Sequence, residues 1–126
     1  MFEITLITMG KLKEKFYISA AAEYEKRLKG YCQFKLLELP EVRLPDNPSP
    51  AEISAGLEKE ADAILSKIPK GTWFCVLTPE GKMLSSEALA DKMESIVAAE
   101  EKLADIKDQI DEKEAQLEKA QNDLEQ

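Results

Sequence analysis

The last third of the chain contains nothing that would stop a helix, because neither glycine nor proline occurs after Ser86. An apolar residue at every seventh position over such a length is typical of a long helix that pairs with another helix. This repeat consists of Leu89, Ile96, Leu103, Ile110, Leu117 and Leu124. The sequence therefore predicts one uninterrupted helix of about forty residues, which would extend about 60 Å.

The second core position of each heptad is weaker than the first. It is occupied by Lys92, Ala99, Ile106, Lys113 and Ala120. Residues 99–126 also hold ten acidic and four basic side chains, and the acidic ones would repel one another in a parallel pair of helices. Two interpretations stay open: a coiled coil that joins two chains, or a single charged helix whose end frays.

The negative charge of the chain is unevenly distributed. Residues 99–126 account for −6 of the formal net charge of −8, whereas residues 1–40 contain seven basic and five acidic side chains. Because the sign differs between regions, the acidic total does not exclude a nucleic-acid contact near the N-terminus.

Histidine is absent, which excludes catalysis by a histidine acid or base and any catalytic pair built on histidine. Cys32 and Cys75 are far apart and have no nearby partners, so we expect no metal site. The apolar N-terminus lacks the basic leader and cleavage site of a signal peptide, and no apolar run approaches the length of a membrane span. We expect a reduced, cytoplasmic protein.

Strand-like and helix-like patterns alternate before the long helix. Strands are predicted at residues 2–9, 34–39 and 72–77, and helices at 16–29 and 50–68. The order β-α-β-α-β-α predicts an α/β fold with three parallel strands, in which ligands bind beyond the carboxyl ends of the strands. We expect the third strand to be buried, with Trp73 and Cys75 in the core.

Four segments together resemble the RlmH family of bacterial methyltransferases. They are ITLITMGKLKEK at 4–15, AEYEKRL at 22–28, LELP at 37–40 and GKMLSSEALA at 81–90. Each segment alone is a weak signal, but their order and spacing make the combination specific. The resemblance covers about residues 1–97, so we predict a family-related domain over 1–97 and a charged helical extension over 98–126.

The resemblance implies a fold, a reaction and partners. The fold is a three-layer, Rossmann-like SPOUT domain with a C-terminal trefoil knot, and it works as a homodimer. The reaction is methyl transfer from S-adenosylmethionine to N3 of a pseudouridine in 23S rRNA, and the substrate is the assembled ribosome. The family would continue after the third helix with a glycine-rich turn and the knot, yet no glycine follows Gly81 here. We therefore expect a domain truncated before the knot, and a chain that is incomplete and inactive alone.

The candidate cofactor-binding residues follow the predicted third strand. Leu77 corresponds to a family position that contacts the adenine, while Thr78 and Gly81 would line the mouth of the pocket because they follow a parallel strand. The alternatives are a plain buried strand residue for Leu77 and an ordinary connection for the other two. No catalytic residue is assigned.

The candidate RNA-binding residues are basic side chains near the first helix. They are Lys11, Lys13, Lys15 and Arg27, which would contact phosphates of rRNA. The alternative is an ordinary solvated surface, because acidic residues such as Glu14 and Glu23 lie between them. Ser85 and Ser86 would cap the long helix or receive an anion at its N-terminus.

Two further hypotheses stand beside the truncated methyltransferase. One is a non-catalytic α/β scaffold that presents its helix for self-association or partner binding. The other is a composite of recent origin, by frameshift, fusion or engineering, joined near Val97. In each case a sheet that lacks its neighbouring strands would expose an edge and apolar helix faces.

Overall fold

The structure is a computed structural model that describes residues 2–124, so the last two residues of the predicted extension lie outside the described part. It consists of two compact units, which divide between Thr72 and Trp73. The predicted boundary after residue 97 lies within a helix of the second unit.

The first unit contains a parallel two-stranded sheet. Strand β1 (Phe2–Met9) pairs with strand β2 (Cys32–Leu39) along its whole length, from Phe2 opposite Cys32 to Met9 opposite Leu39. The prediction of β1 is confirmed, and β2 begins two residues earlier than predicted. The ladder continues for one more bond, because the backbone N–H of Gly10 donates to the Leu39 carbonyl oxygen at 2.7 Å.

Helix α1 (Lys15–Leu28) connects the two strands, as their parallel direction requires. Its last turn is basic, with Lys26 and Arg27, which suits the negative end of the helix dipole. Beyond the helix, the N–H of Gly30 donates to the Arg27 carbonyl and the N–H of Tyr31 to the Leu28 carbonyl, so the chain turns directly into β2.

The sequence Ser49-Pro50-Ala51-Glu52 predicts a helix start capped by the serine, and helix α2 (Pro50–Leu65) begins there. The Ser49 hydroxyl accepts the backbone N–H of Glu52 at 3.2 Å and donates to the Glu52 carboxylate at 3.1 Å. The helix ends three residues before the predicted end. The backbone N–H groups of Lys67 and Ile68 each donate to the carbonyl oxygen three residues earlier. The last turn is therefore tighter than an α-helical turn, in which the spacing is four residues.

The predicted third strand is wrong: within residues 2–124, the sheet has two strands. The segment 72–77 makes no ladder and belongs almost wholly to the second unit, where Trp73 is 56% exposed and Cys75 is also exposed. A strand needs a neighbouring strand for its backbone hydrogen bonds, and no element of the second unit offers one among the described residues. The chain is thus mixed α/β with a two-stranded parallel sheet, instead of a three-stranded one.

The second unit is built on helix α3 (Ser86–Leu124), which is 39 residues long and passes through Val97 without a break. Ser85 caps it, since its hydroxyl accepts the N–H of Ala88 at 3.1 Å and its carbonyl that of Leu89 at 3.0 Å. The long helix is therefore as the sequence predicts. No helix within residues 2–124 is both long and apolar enough to cross a membrane.

The buried core is small. Among the described residues the buried hydrophobic side chains are Cys32 and Leu39, one at each end of β2. Large apolar side chains of α1, such as Phe16 and Tyr24, remain exposed, and the rings of Phe16 and Tyr17 at the helix start contact each other at a tilt of 44°. The expected exposure of apolar helix faces is confirmed.

Candidate functional site

The carboxyl ends of the two parallel strands form one side of the first unit, where ligands bind in sheets of this kind. Gly10 follows β1 with a φ of +78°, and a β-carbon at this position would overlap the side chain of Glu41. The Thr8 hydroxyl donates to the Gly10 carbonyl at 3.4 Å. Gly10 therefore lets the chain turn sharply beside the carboxylate of Glu41.

A cleft of about 280 Å³ opens at this end, between α1 and β2. Its lining is mostly apolar, with a lysine and two carboxylates: Lys11, Leu12, Ile18, Ala21, Ala22, Glu25, Leu36 and Glu38. The two alanines leave space where larger helix residues would fill it. Its volume lies just under the range of about 300–1,000 Å³ that is usual for small-molecule sites, and its charged groups do not favour an anionic ligand.

A second cleft, of about 190 Å³, lies where the loop between β2 and α2 crosses α2. Gly56 is buried there, and a β-carbon on it would lie 3.1 Å from the Leu44 side chain. The backbone N–H of Val42 donates to the Glu60 carboxylate at 3.0 Å, which anchors the loop to the helix. This cleft is a packing seam of the first unit.

The predicted cofactor-binding residues lie in the second unit. Thr78 and Gly81 are brought together in a turn, closed by the Gly81 N–H donating to the Thr78 carbonyl at 3.1 Å. Leu77 precedes the turn and is 85% exposed. Neither of the two clefts is lined by these residues.

The predicted RNA-binding residues fall into two separate places. Lys11 and Lys13 lie in the loop after β1, and Lys15 begins α1, so these three stay close along the chain. Arg27 lies about 18 Å farther along the helix axis at 1.5 Å per residue. It pairs with Glu23 at 3.1 Å and stacks over the Tyr24 ring at 5.9 Å. The lysines form one candidate cluster, and Arg27 is not part of it.

Sequence reasoning did not single out Glu41 and Glu60, the two carboxylates that shape the first unit. Glu41 follows the end of β2 closely, and that position is a signal that marks it as a candidate. Glu60 is one of several acidic residues on α2, and no local pattern distinguishes it. Within residues 2–124, no three histidine, cysteine or acidic side chains come together to hold a metal ion.

Comparison with known families gives one match that covers nearly the whole chain. The model of a family described as "Predicted SPOUT methyltransferase" matches residues 2–121 of the 126. The match extends well beyond residue 97, so the similarity to the family is not confined to the region that the four sequence segments cover.

Proposed function

The chain belongs to the SPOUT methyltransferase family, and on that premise we propose that it is related to the enzymes that methylate N3 of a pseudouridine in 23S rRNA. The family suggests RNA methyltransferase activity, and its members generally use S-adenosylmethionine. The proposal adds the substrate, a pseudouridine of the large ribosomal subunit, and the place of action, the cytoplasm.

The observation that carries this proposal is the strand pair with its glycine turn. The segment ITLITMGKLKEK, the first of the four that resemble the RlmH family, forms most of β1, the Gly10 turn and the lysine cluster. The segment LELP ends β2 at the same edge of the sheet. Two segments that each resemble the RlmH family, and that are distant in sequence, are therefore adjacent in space. This supports an architecture shared with that family.

The described residues do not fit S-adenosylmethionine by themselves. The exposed Leu77 and the closed Thr78–Gly81 turn do not enclose a molecule, whereas small-molecule sites bury most of the ligand surface. In addition, α3 continues without a break through residues 98–124, where the resemblance to the RlmH family would place the knot. Bound cofactor would supply the methyl group, and we propose that this chain alone neither holds it nor transfers it.

Calorimetric titration of the purified chain with S-adenosylmethionine tests this. We expect no saturable heat up to the solubility of the protein. Tight binding at one cofactor per chain would show that the pocket is complete, and would contradict the proposed inactivity.

A footprint on ribosomes tests the proposed substrate without requiring catalysis. Carbodiimide reacts with N3 of pseudouridine, so a chain that docks there should protect that base of 23S rRNA. Protection should rise with chain concentration and fall when Lys11, Lys13 and Lys15 are all changed to glutamine. Unchanged reactivity of every pseudouridine in 23S rRNA would contradict the relation to the pseudouridine enzymes.

A second candidate function is that of a non-catalytic scaffold, in which α3 associates with another copy to give a homodimer. The observation that favours it is the exposure of the heptad side chains, among which Leu103 and Leu117 are each 61% exposed. Light scattering of the chain with and without residues 99–126 tests it. We expect a dimer mass for the first and a monomer mass for the second, and a monomer in both cases would remove this candidate.

A further inference from the structure

The C-terminal part of α3, from residue 100 to 124, carries one apolar stripe. Every residue from 100 to 124 is exposed, including the five large aliphatic side chains of the stripe. These are Leu103, Ile106, Ile110, Leu117 and Leu124. The stripe is narrow, as in a coiled-coil seam, and the residues that flank it are polar or charged.

The lysines beside this stripe make no ion pair in the described part of the chain. Among residues 2–124 the ion pair is that of Glu23 with Arg27, in the first unit. Lys102 and Lys107 lie on opposite sides of the stripe, at the positions that in a coiled coil face the charged flanks of the partner helix. Their charges therefore indicate which orientation of the partner is favourable.

A parallel partner in the same register is disfavoured by these charges. It would place Lys102 opposite the partner's Lys107 on both sides of the seam. It would also stack Lys113 on the partner's Lys113 in the core. Like charges that face each other across two helices are destabilising, and no opposite charges compensate these lysine contacts.

We infer that α3 pairs with α3 of a second copy in antiparallel orientation, in the register that places Leu103 opposite the partner's Ala120. This register brings Lys107 opposite the partner's Glu114 and Lys102 opposite the partner's Asp123. The two-fold symmetry repeats both pairs, so four attractive contacts flank the seam. The inference rests on the self-association proposed above and adds its orientation and register.

The same register also fits the side-chain sizes along the seam. Leu117 meets the partner's Ile106, whereas Leu103 and Leu124 meet the partner's Ala120 and Ala99, so leucine packs on alanine toward the ends of the seam and on isoleucine nearer its middle. Ile110 meets the partner's Lys113, whose aliphatic stem covers it while the ammonium group extends toward water. The lysines and alanines that weaken a parallel seam are thus accommodated in the antiparallel one.

The substitution Lys107→Glu distinguishes the two orientations, because it should weaken an antiparallel dimer and strengthen a parallel one. In the antiparallel dimer it sets a carboxylate against the partner's Glu114 twice, and we expect the dissociation constant to rise roughly tenfold. In a parallel dimer it would create attraction to the partner's Lys102 and tighten association. Analytical ultracentrifugation of the full chain over a concentration series measures the constant.

Two controls separate the specific pairing from total charge. Lys119→Glu changes the net charge equally but lies on the outer face of the helix, so it should leave the dissociation constant unchanged. The double variant Lys107→Glu with Glu114→Lys exchanges the two charges and should restore dimerisation to the starting value. A Lys119→Glu effect as large as that of Lys107→Glu would overturn the assigned register.

Cysteine cross-linking tests the register directly, in a Cys75→Ser background that removes the exposed native thiol. Under mild oxidation Leu103→Cys mixed with Ala120→Cys should give a disulfide heterodimer. Leu103→Cys alone should not cross-link, because the two cysteines would lie about 25 Å apart along the axis, far beyond disulfide reach. A Leu103→Cys homodimer, or a monomer at all concentrations, would overturn the inference. Either result leaves the cofactor titration unaffected.

Discussion

At Gly10 the backbone has a left-handed conformation that only glycine adopts without cost. The turn there connects β1 to the loop that carries Lys11 and Lys13, and it lies beside Glu41. Gly71 has a similar φ of +76°, but a β-carbon added to it would meet nothing within 4 Å, whereas Gly30 lies outside the left-handed region. Comparing these three glycines separates the cost of an unfavourable backbone conformation from the cost of a steric clash.

Gly10→Ala should lower the free energy of unfolding by about 1–2 kcal/mol, because an alanine there is held in the left-handed region. The overlap with Glu41 adds little, since that carboxylate is the end of a flexible side chain. Urea denaturation followed by circular dichroism measures the change. Gly71→Ala should cost about as much as Gly10→Ala, and Gly30→Ala should stay within about 0.5 kcal/mol. Equal effects of all three would contradict the role of φ.

At the scale of elements, the first unit is held together by its sheet and also by contacts between a loop and a helix. Val42 in the loop donates its N–H to Glu60 of α2, and Gly56 lets the loop approach the helix closely. Those contacts position the chain that follows β2, and therefore Glu41 beside Gly10.

Glu60→Ala should lower the free energy of unfolding by about 1 kcal/mol, because the N–H of Val42 loses its acceptor. Chemical denaturation of the full chain measures it. The matched control is Glu58→Ala on the exposed side of the same helix, which removes an equal charge without breaking the bond. If Glu58→Ala is as costly as Glu60→Ala, the effect comes from charge and not from the hydrogen bond.

The segment 73–77 has the composition of a buried strand but has no strand partner among residues 2–124. Its amides should therefore exchange with deuterium much faster than those of β2, which are held in the ladder with β1. Hydrogen exchange read by mass spectrometry compares the two segments in one experiment, with β1 as the internal reference. Protection of 73–77 equal to that of β2 would mean that a third strand forms in solution.

At the scale of the whole molecule, charge is distributed so that the proposed RNA contact and the acidic helix belong to different units. The lysine cluster lies in the first unit, and most of the net charge of −8 lies in α3. Because phosphate contacts release counterions, the salt dependence of binding reports how many lysines take part.

Changing Lys11, Lys13 and Lys15 together to glutamine should reduce the slope of log affinity against log salt by about 2–3. Arg27→Gln should leave that slope unchanged, since Arg27 is paired with Glu23 and distant from the cluster. Filter binding of a 23S rRNA fragment at several salt concentrations measures both. A slope that falls as much for Arg27→Gln as for one lysine would place Arg27 in the RNA contact.

The sequence by itself determined the elements that depend on local interactions. It predicted β1, the Ser49 and Ser85 caps and the unbroken α3, because periodicity, capping hydroxyls and helix breakers act within a few residues. Only the tertiary structure decided the conformation of 72–77. This segment has the composition of a strand, but no neighbouring strand within the described residues completes a ladder with it. It also separated Arg27 from the lysines and brought Glu41 to Gly10. The reason is that strand pairing and site assembly depend on contacts between residues distant in sequence, which no local pattern encodes.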